Sequence, residues 1–413
     1  MTEVADSQSN LRFVQDKFRE YYLENVGEIA PPSYIEKREF GFILFRREKL
    51  MIRHRGFEDS EGLRGFIKAL APSDVYYSSA YYERPGAETM KEKGWLGADL
   101  IFDVDCDHLH TSCKEEHDRW RCLNCGKSGV GAPTKCPKCG SERLDVDSWV
   151  CEKCLETAKQ ELLKLIGMLE DDLGVTDKEM TAVFSGHRGY HLHVESNTVK
   201  SMSSAERKEI VDYVTATGLN IGYYGLSKDR RSFGGPSLDD SGWGGRLARA
   251  VYTLLLKNPE ELRAAGIAAS VAKKIVDNRE RMLDAWEKGK GWDLLSGIKK
   301  ASLEKVLKKA LTYAAASVDT VVTTDIHRLI RLPNTLHGKT GLRVIAMPVH
   351  QLVNFEPLRD SLVFTGGEMR VRVSDAPRIR IGDSFYGPFR NEVVKLPLPV
   401  AMFLICRNKA SPS

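Results

Sequence analysis

The chain alternates between stretches of two different hydrophobic periods. Residues 101–107, IFDVDCD, set Phe102, Val104 and Cys106 against Asp103, Asp105 and Asp107 at every second position. That period predicts a β-strand with its acids on one face and its apolar side chains on the other. The same period predicts a hairpin from EKREFGFILF and KLMIRHRGF, with Glu39, Arg53 and Arg55 its charged residues, open to facing a substrate but fitting a solvated face better. In TAVFSGHRGYHLHVES two strands flank the turn 185–189; Tyr190, Leu192 and Val194 point one way, and His191, His193 and Glu195 the other. Helical spacing predicts helices over 11–28 (anchored by Phe13, Phe18, Tyr21 and Tyr22, and ended by Pro31-Pro32), 60–71 and 155–173. Residues 203–312 turn Ala-, Leu-, Lys- and Glu-rich and read as a helical insertion. A β-like run after Asp319 and a short helix from about Asp325 to Arg331, stopped by Pro333, complete the informative part. The apolar end LPLPVAMFLI belongs in a core or a partner contact. The pattern predicts a mixed α/β (α+β) protein. A discontinuous core (1–120, 151–202 and 313–413) is interrupted by insertions at 121–150 and 203–312.

Composition changes this picture in one place. With 413 residues, 42% hydrophobic and 29% charged, the chain can fill several cores, and a net charge of +4 does not by itself mark a nucleic-acid binder. MTEVADSQSN has neither the basic start nor the apolar run of a signal peptide, and no stretch is apolar enough for a membrane span. A cytoplasmic setting with reduced thiols is expected, so eight of nine cysteines crowded between 106 and 154 point to metal rather than disulfides. Cys122-x2-Cys125 and Cys136-x2-Cys139, with Gly126 and Gly140 behind them, have the form of a zinc ribbon, in which each turn offers two soft ligands. Cys151 and Cys154 need partners for a second structural zinc. Cys113 and His110 are nearest, with Cys106, His108 and His117 in competition.

Chemistry concentrates in three places. Acids lined up on one strand face are costly unless cations sit among them, and oxygen-seeking Mg²⁺ suits them. An EF-hand is excluded, because His108 and Lys114 stand where its Gly and Glu belong. The turn Ser185-Gly186-His187-Arg188-Gly189 combines close-approach glycines with a forked cation and, two residues on, His191, which suits a phosphate. Gly338-Lys339-Thr340 suggests a P-loop, but Pro333 occupies the required glycine position and that reading fails; Arg331, His337 and Lys339 form a second cationic group instead. Tyr81-Tyr82-Glu83-Arg84-Pro85 suits base stacking and core packing equally, and the loop cations Lys228, Arg230 and Arg231 could touch a nucleic-acid backbone.

Taken jointly, FDVDCD, SGHRGYH and SVDTVVTTDIHRLIRLPNTLHGKTGL resemble the three motif blocks of the small, catalytic subunit of archaeal and eukaryotic DNA primases, the archaeal branch more closely. REFGF at 38–42 and RPGAETMKEKGWLGADLIFD also look like family sequence. The resemblance implies a primase fold and two-metal synthesis of short RNA primers on single-stranded DNA, with DNA primers an open alternative. It further implies Asp103, Asp105 and Asp319 as ligands of catalytic Mg²⁺ or Mn²⁺, and Ser185, Arg188, His191, Arg331, His337 and Lys339 as nucleotide contacts. A zinc site using Cys151 and Cys154, nucleoside triphosphates as substrates and an iron–sulfur-containing large subunit as partner are implied as well. The four-cysteine ribbon departs from the family pattern. A same-superfamily polymerase of end-joining repair and a non-enzymatic zinc-ribbon nucleic-acid binder are the rival readings.

Overall fold

The computed structural model describes residues 2–46, 50–224, 235–289, 292, 295 and 300–413, so Lys228, Arg230 and Arg231 lie outside the described residues. The chain divides into two units: Met1–Leu163, Thr176–Lys208 and Val318–Ser413 form the first, and Lys164–Val175 with Glu209–Ser317 the second.

The first unit opens with the helix Thr2–Asn25, which buries Phe18 and Tyr22 and passes into a tighter turn at Val26–Glu28. Strands β1 (Phe40–Ile43) and β2 (Met51–Arg55) make the expected hairpin, with Phe42 opposite Ile52. The helix Ser60–Leu70 is capped by Asp59, whose carboxylate accepts the Gly62 N–H at 2.9 Å, and buries Leu63 and Ile67. There follow β3 (Asp74–Ser78), β4 (Ala80–Tyr82), β5 (Trp95–Ala98) and β6 (Leu100–Asp105). The cysteine-rich segment forms β7 (Arg119–Cys122), β8 (Ser128–Val130) and β9 (Leu144–Asp147), three antiparallel strands in the order β8-β7-β9. Next come β10 (Met180–Phe184), β11 (Gly189–Val194), β12 (Leu329–Arg331) and β13 (Ile345–Pro348). They complete two four-stranded antiparallel sheets, β12-β3-β1-β2 and β13-β10-β11-β6. Toward the C-terminus, β14 (Glu368–Ala376) pairs with a later strand (Phe389–Pro397) and with the terminal strand Ala410–Pro412. The helix Leu398–Cys406 between those two buries Val400 through Ile405, so the apolar end is core.

Three local expectations are corrected, the first being that Glu39 is buried against Lys93 rather than solvated. The acidic strand stops at Asp105, because Cys106–His108 winds into a 3₁₀ turn that carries Asp107 off the strand face. After Asp319 the order is reversed: Thr320–Thr324 is the short helix, and Leu329–Arg331 is strand β12. The Asp319 carboxylate accepts N–H groups from Val321 and Val322, starting a helical turn that the β-branched run disfavours; pairing with β3 then extends Leu329–Arg331.

Tyr81 and Tyr82 are buried, donating to Asp99 Oδ1 at 2.5 Å and meeting His327 Nδ1 at 3.0 Å, so this cluster covers the core. Beside them Arg38 pairs with Asp99 at 2.6 Å under the Tyr81 ring, and Glu39 pairs with Lys93; all four charged groups are buried.

In the second unit the helices Gly242–Leu256 and Lys300–Ala314 pack Leu247, Val251, Leu254, Val306 and Leu307 into a separate core. Arg246 anchors the first of them to Asp172 at 2.6 Å and to the Gly167 carbonyl at 2.9 Å.

Candidate functional site

The site is built on β6 and its neighbour β11. Their register sets His191 opposite Asp103 and Gly189 opposite Asp105, with the His191 imidazole 3.7 Å from the Asp103 carboxylate. Gly189 is dictated by this approach, since a Cβ there would fall 2.3 Å from the Val104 carbonyl oxygen. The third acid arrives through the backbone: Asp319 N–H donates to the Asp103 carbonyl at 2.8 Å, while its own side chain is oriented by the Val321 N–H at 2.9 Å. Burial pushes the Asp103 carboxyl up to about 7, and the charges of Asp105 and Asp319 push in the same direction. Each neighbouring carboxylate therefore makes ionisation of Asp103 harder, as like charges close together do. The three acids nonetheless stand further apart than the cysteines below: among the described residues, the groups with ligand atoms all within 4.8 Å of one another are two cysteine clusters.

Above the acids lies the glycine-flanked turn. Ser185 N–H closes it onto the Gly189 carbonyl at 3.0 Å, and Gly186 has φ +78°, where a side chain would be strained. A Cβ on Gly186 would also come within 2.9 Å of the His337 Cβ, so the turn packs directly on the downstream cationic loop. Thr340 Oγ1 donates to the Gly186 carbonyl at 2.5 Å, and the His187 and His337 rings stack with centroids 4.7 Å apart. Arg188 pairs with Asp107 and lies 3.9 Å from Asp105, so the acid that left the strand face holds the guanidinium. The Arg188 carbonyl accepts from Cys106 N at 3.1 Å and from its Sγ at 2.6 Å, which locks the turn onto the end of β6.

The second sheet brings the remaining cation. Arg331 on β12 pairs with Asp74 on β3 and lies 4.9 Å over the Tyr76 ring. Asp74 also accepts from Gly338 N at 3.2 Å and Ser73 Oγ at 2.8 Å, so one carboxylate positions both Arg331 and the His337–Lys339 loop. These groups line a cavity of about 570 Å³. Burial lowers His191 to about 4, helped by Arg331 and Arg328. Burial and the charges of Arg331, Lys339, Arg188 and Arg407 hold His337 well below the ordinary range. Both imidazoles are neutral near pH 7 and can each donate one N–H in a field of guanidinium charge. Thus the turn carrying Ser185 and Arg188 packs on the His337–Lys339 loop, Arg331 joins that loop through Asp74, and His191 stands opposite Asp103. Asp74, Tyr76 and Arg328 belong to the same surroundings and had no distinguishing pattern in the sequence.

Seven cysteines and one histidine form two sets of four. Cys122, Cys125, Cys136 and Cys139 come together as the spacing required, with Cys122–Cys139 and Cys125–Cys136 sulfurs each 3.6 Å apart. Tetrahedral zinc with Zn–S bonds of about 2.3 Å needs sulfurs roughly 3.8 Å apart, so the set fits. In the second set His117, not His110, joins Cys113, Cys151 and Cys154; His110 is exposed and outside the group. Cys113 and His117 bracket the helical turn Lys114–His117, and the four-residue spacing turns both to one side. His117 Nε2 lies 3.5 Å from Cys154 Sγ, while its Nδ1 meets Asp118 Oδ1 at 2.8 Å, the carboxylate partner that orients a metal-binding imidazole. Asp118 in turn accepts the Trp149 N–H at 2.8 Å.

With this geometry in hand, comparison with known proteins is direct. A family model described as DNA primase small subunit matches residues 143–348. The chain is similar to the DNA primase small subunit PriS of Methanococcoides burtonii, 35% identical over 96% of this chain and 97% of that protein. It is 36% identical to PriS of Archaeoglobus fulgidus over 97% of this chain and 98% of that one. With PriS of Cenarchaeum symbiosum it shares 32% identity over 98% and 99%.

Proposed function

The chain belongs to the family of DNA primase small subunits, and on that premise we propose that Asp103, Asp105 and Asp319 are its catalytic metal ligands. The protein is a primase catalytic subunit, a nucleotidyltransferase that builds primers from nucleoside triphosphates on a DNA template. The observation that carries the site assignment is the placing of Asp103 and Asp105 two residues apart on β6, with Asp319 tied to the Asp103 carbonyl by its N–H at 2.8 Å.

In this reading Asp103, Asp105 and Asp319 would hold a pair of Mg²⁺ or Mn²⁺ ions, whose chemistry would be to acidify the 3′-hydroxyl and offset charge on the pyrophosphate. The chain's own residues do the rest. Ser185, Arg188 and the close-approach turn, with His191, Arg331, His337 and Lys339, hold the triphosphate. Neutral His191 and His337 act as N–H donors, and Arg331, steadied by Asp74, supplies a fixed fork. Asp319 keeps its carboxylate aimed by capping its own helix, so it need not reorganise as charge moves. Zn²⁺ at the two cysteine sets is structural, because four protein ligands leave no position for substrate. The ribbon at 121–150 and the helices of 203–312 are insertions into the catalytic core. The partners are single-stranded DNA and a large subunit carrying an iron–sulfur domain, and the setting is the archaeal cytoplasm; no described helix is long and apolar enough to cross a membrane.

Primer synthesis with labelled nucleotides on unprimed single-stranded DNA, with Mg²⁺, Mn²⁺ or chelator, tests the reading. Products are expected with either ion and none with chelator. The Asp103→Ala protein should lose at least about a thousandfold in rate while remaining folded. Extension confined to pre-existing ends would favour an end-joining polymerase, and substantial activity in the variant would remove the metal role.

A further inference from the structure

We propose that Arg328 is a further substrate-contacting residue, one that meets the phosphoryl group being transferred rather than the outer phosphates of the incoming nucleotide. The inference rests on the nucleotidyl-transfer reading above and deepens it.

The backbone of Arg328 is fixed from both sides. Its N–H donates to the Asp325 carbonyl at 3.4 Å, and its carbonyl accepts the Ser79 N–H at 2.8 Å. Ser79 in turn accepts the Asp99 N–H at 2.9 Å, immediately before β6, so a two-bond backbone link joins Arg328 to the strand that carries Asp103 and Asp105. The preceding His327 is clamped, its ring stacked parallel on Tyr82 at 6.1 Å. From this anchored position the half-buried guanidinium is near enough to Asp103, His191 and Tyr76 for its charge to act on all three. It makes no hydrogen bond or ion pair among the described residues, whereas Arg188 is held by Asp107 and Arg331 by Asp74. A half-buried guanidinium carries five N–H donors and a charge that is costly to leave unmatched, so the position suits an anion brought by substrate.

The neighbours tell which anion. Arg331 and the His337–Lys339 loop are both held by Asp74, whereas Arg328 is tied through Ser79 and Asp99 to the strand of acids, and its charge acts on Asp103 and His191. Arg328 therefore serves the end of the site nearest the acids. In the reaction the 3′-hydroxyl oxygen bonds to the α-phosphorus, the bond from that phosphorus to the bridging oxygen breaks, and pyrophosphate leaves with that electron pair. The hydroxyl proton passes to water. Charge on the non-bridging α-oxygens is redistributed in the transition state, and a preorganised fork beside Asp103 is placed to match it.

Steady-state kinetics of the full chain with Arg328→Gln and Arg328→Lys test this, with wild type and Asp103→Asn in the same assay. For Arg328→Gln, kcat should fall on the order of a hundredfold while the nucleotide KM stays within about threefold. Arg328→Lys, which keeps the charge and loses the fork, should recover only part of that loss. Three results would overturn the inference: kcat within about threefold of wild type in both variants, a raised KM with unchanged kcat, or an unchanged kcat with tighter divalent-ion dependence. The last would make Arg328 a counter-charge for Asp103 that competes with the metal. If Arg328→Gln does not fold, an unimpaired Arg328→Lys protein still refutes the role of the fork. Should Asp103→Asn remain active, the reading itself fails, whatever Arg328 does.

Discussion

The two four-stranded antiparallel sheets treat their buried acids in opposite ways. At the β12-β3-β1-β2 sheet the buried carboxylates among the described residues have cations: Glu39, just ahead of β1, meets Lys93 and Arg53, and Asp74 meets Arg331, a pair that also serves the nucleotide site. Burial alone would push Glu39 up, yet Lys93, Arg53 and the His54 N–H overcome it and leave the carboxyl below its ordinary value. In the β13-β10-β11-β6 sheet, Asp103 faces a neutral imidazole and two more carboxylates, and it is raised to about 7. Carboxylates that hold the fold together come with their cations built in. Asp103 has only the His191 imidazole at 3.7 Å, and under the proposed function a metal ion takes the place of the missing cation; that contrast, more than any one distance, separates scaffold from site.

The largest effect that could break the contrast is on stability. Glu39→Gln leaves the Lys93 ammonium buried and unmatched, so thermal or urea unfolding should show a loss of roughly 3–5 kcal/mol. Asp103→Asn removes one of three repelling charges, and the same measurement should show stability unchanged or raised. The reverse ranking would mean that the two sheets handle charge alike. A smaller effect sharpens the comparison. Mg²⁺ or Mn²⁺ at ten times its Kd should stabilise the wild type by about 1.4 kcal/mol. Asp103→Asn should be left nearly unaffected, as read by the shift in Tm. A pH slope provides a further check: His193 on β11 has its pKa lowered to about 3, by burial first and then by His191 and Arg38. A buried neutral histidine stabilises the fold above its ordinary pKa of 6.5, and that contribution is lost as pH falls toward about 3. Acid titration of unfolding free energy should therefore be shallower in His193→Gln than in wild type.

Regular patterns were legible along the chain, and irregular ones were not. The period-two run at 101–105, the hairpin 180–194 and the helix ending at Leu173 were visible because their apolar positions repeat over many residues. Short elements failed. Thr320–Thr324 looks β-like and is a helical turn, while Leu329–Arg331 looks helical and is a strand, because three to five residues carry too little period to outweigh a cap or a pairing partner. The buried pairs Arg38–Asp99 and Glu39–Lys93 were invisible for a different reason: their partners lie 61 and 54 residues apart, and no local rule links them.

The metal chemistry divides in the same way. A CxxC turn is a local object, so the residues alone determined that Cys122, Cys125, Cys136 and Cys139 would meet. They also determined which face of β6 would be acidic and which turns would be rich in glycine and cation. Choosing His117 over His110, holding Arg331 on Asp74, leaving Arg328 without a carboxylate and bringing Asp319 to Asp103 across more than two hundred residues were decided only in three dimensions. Side-chain identity and spacing govern what a short segment can offer, but burial and long-range pairing govern which charges stay unanswered, and those exist only once the sheets have assembled.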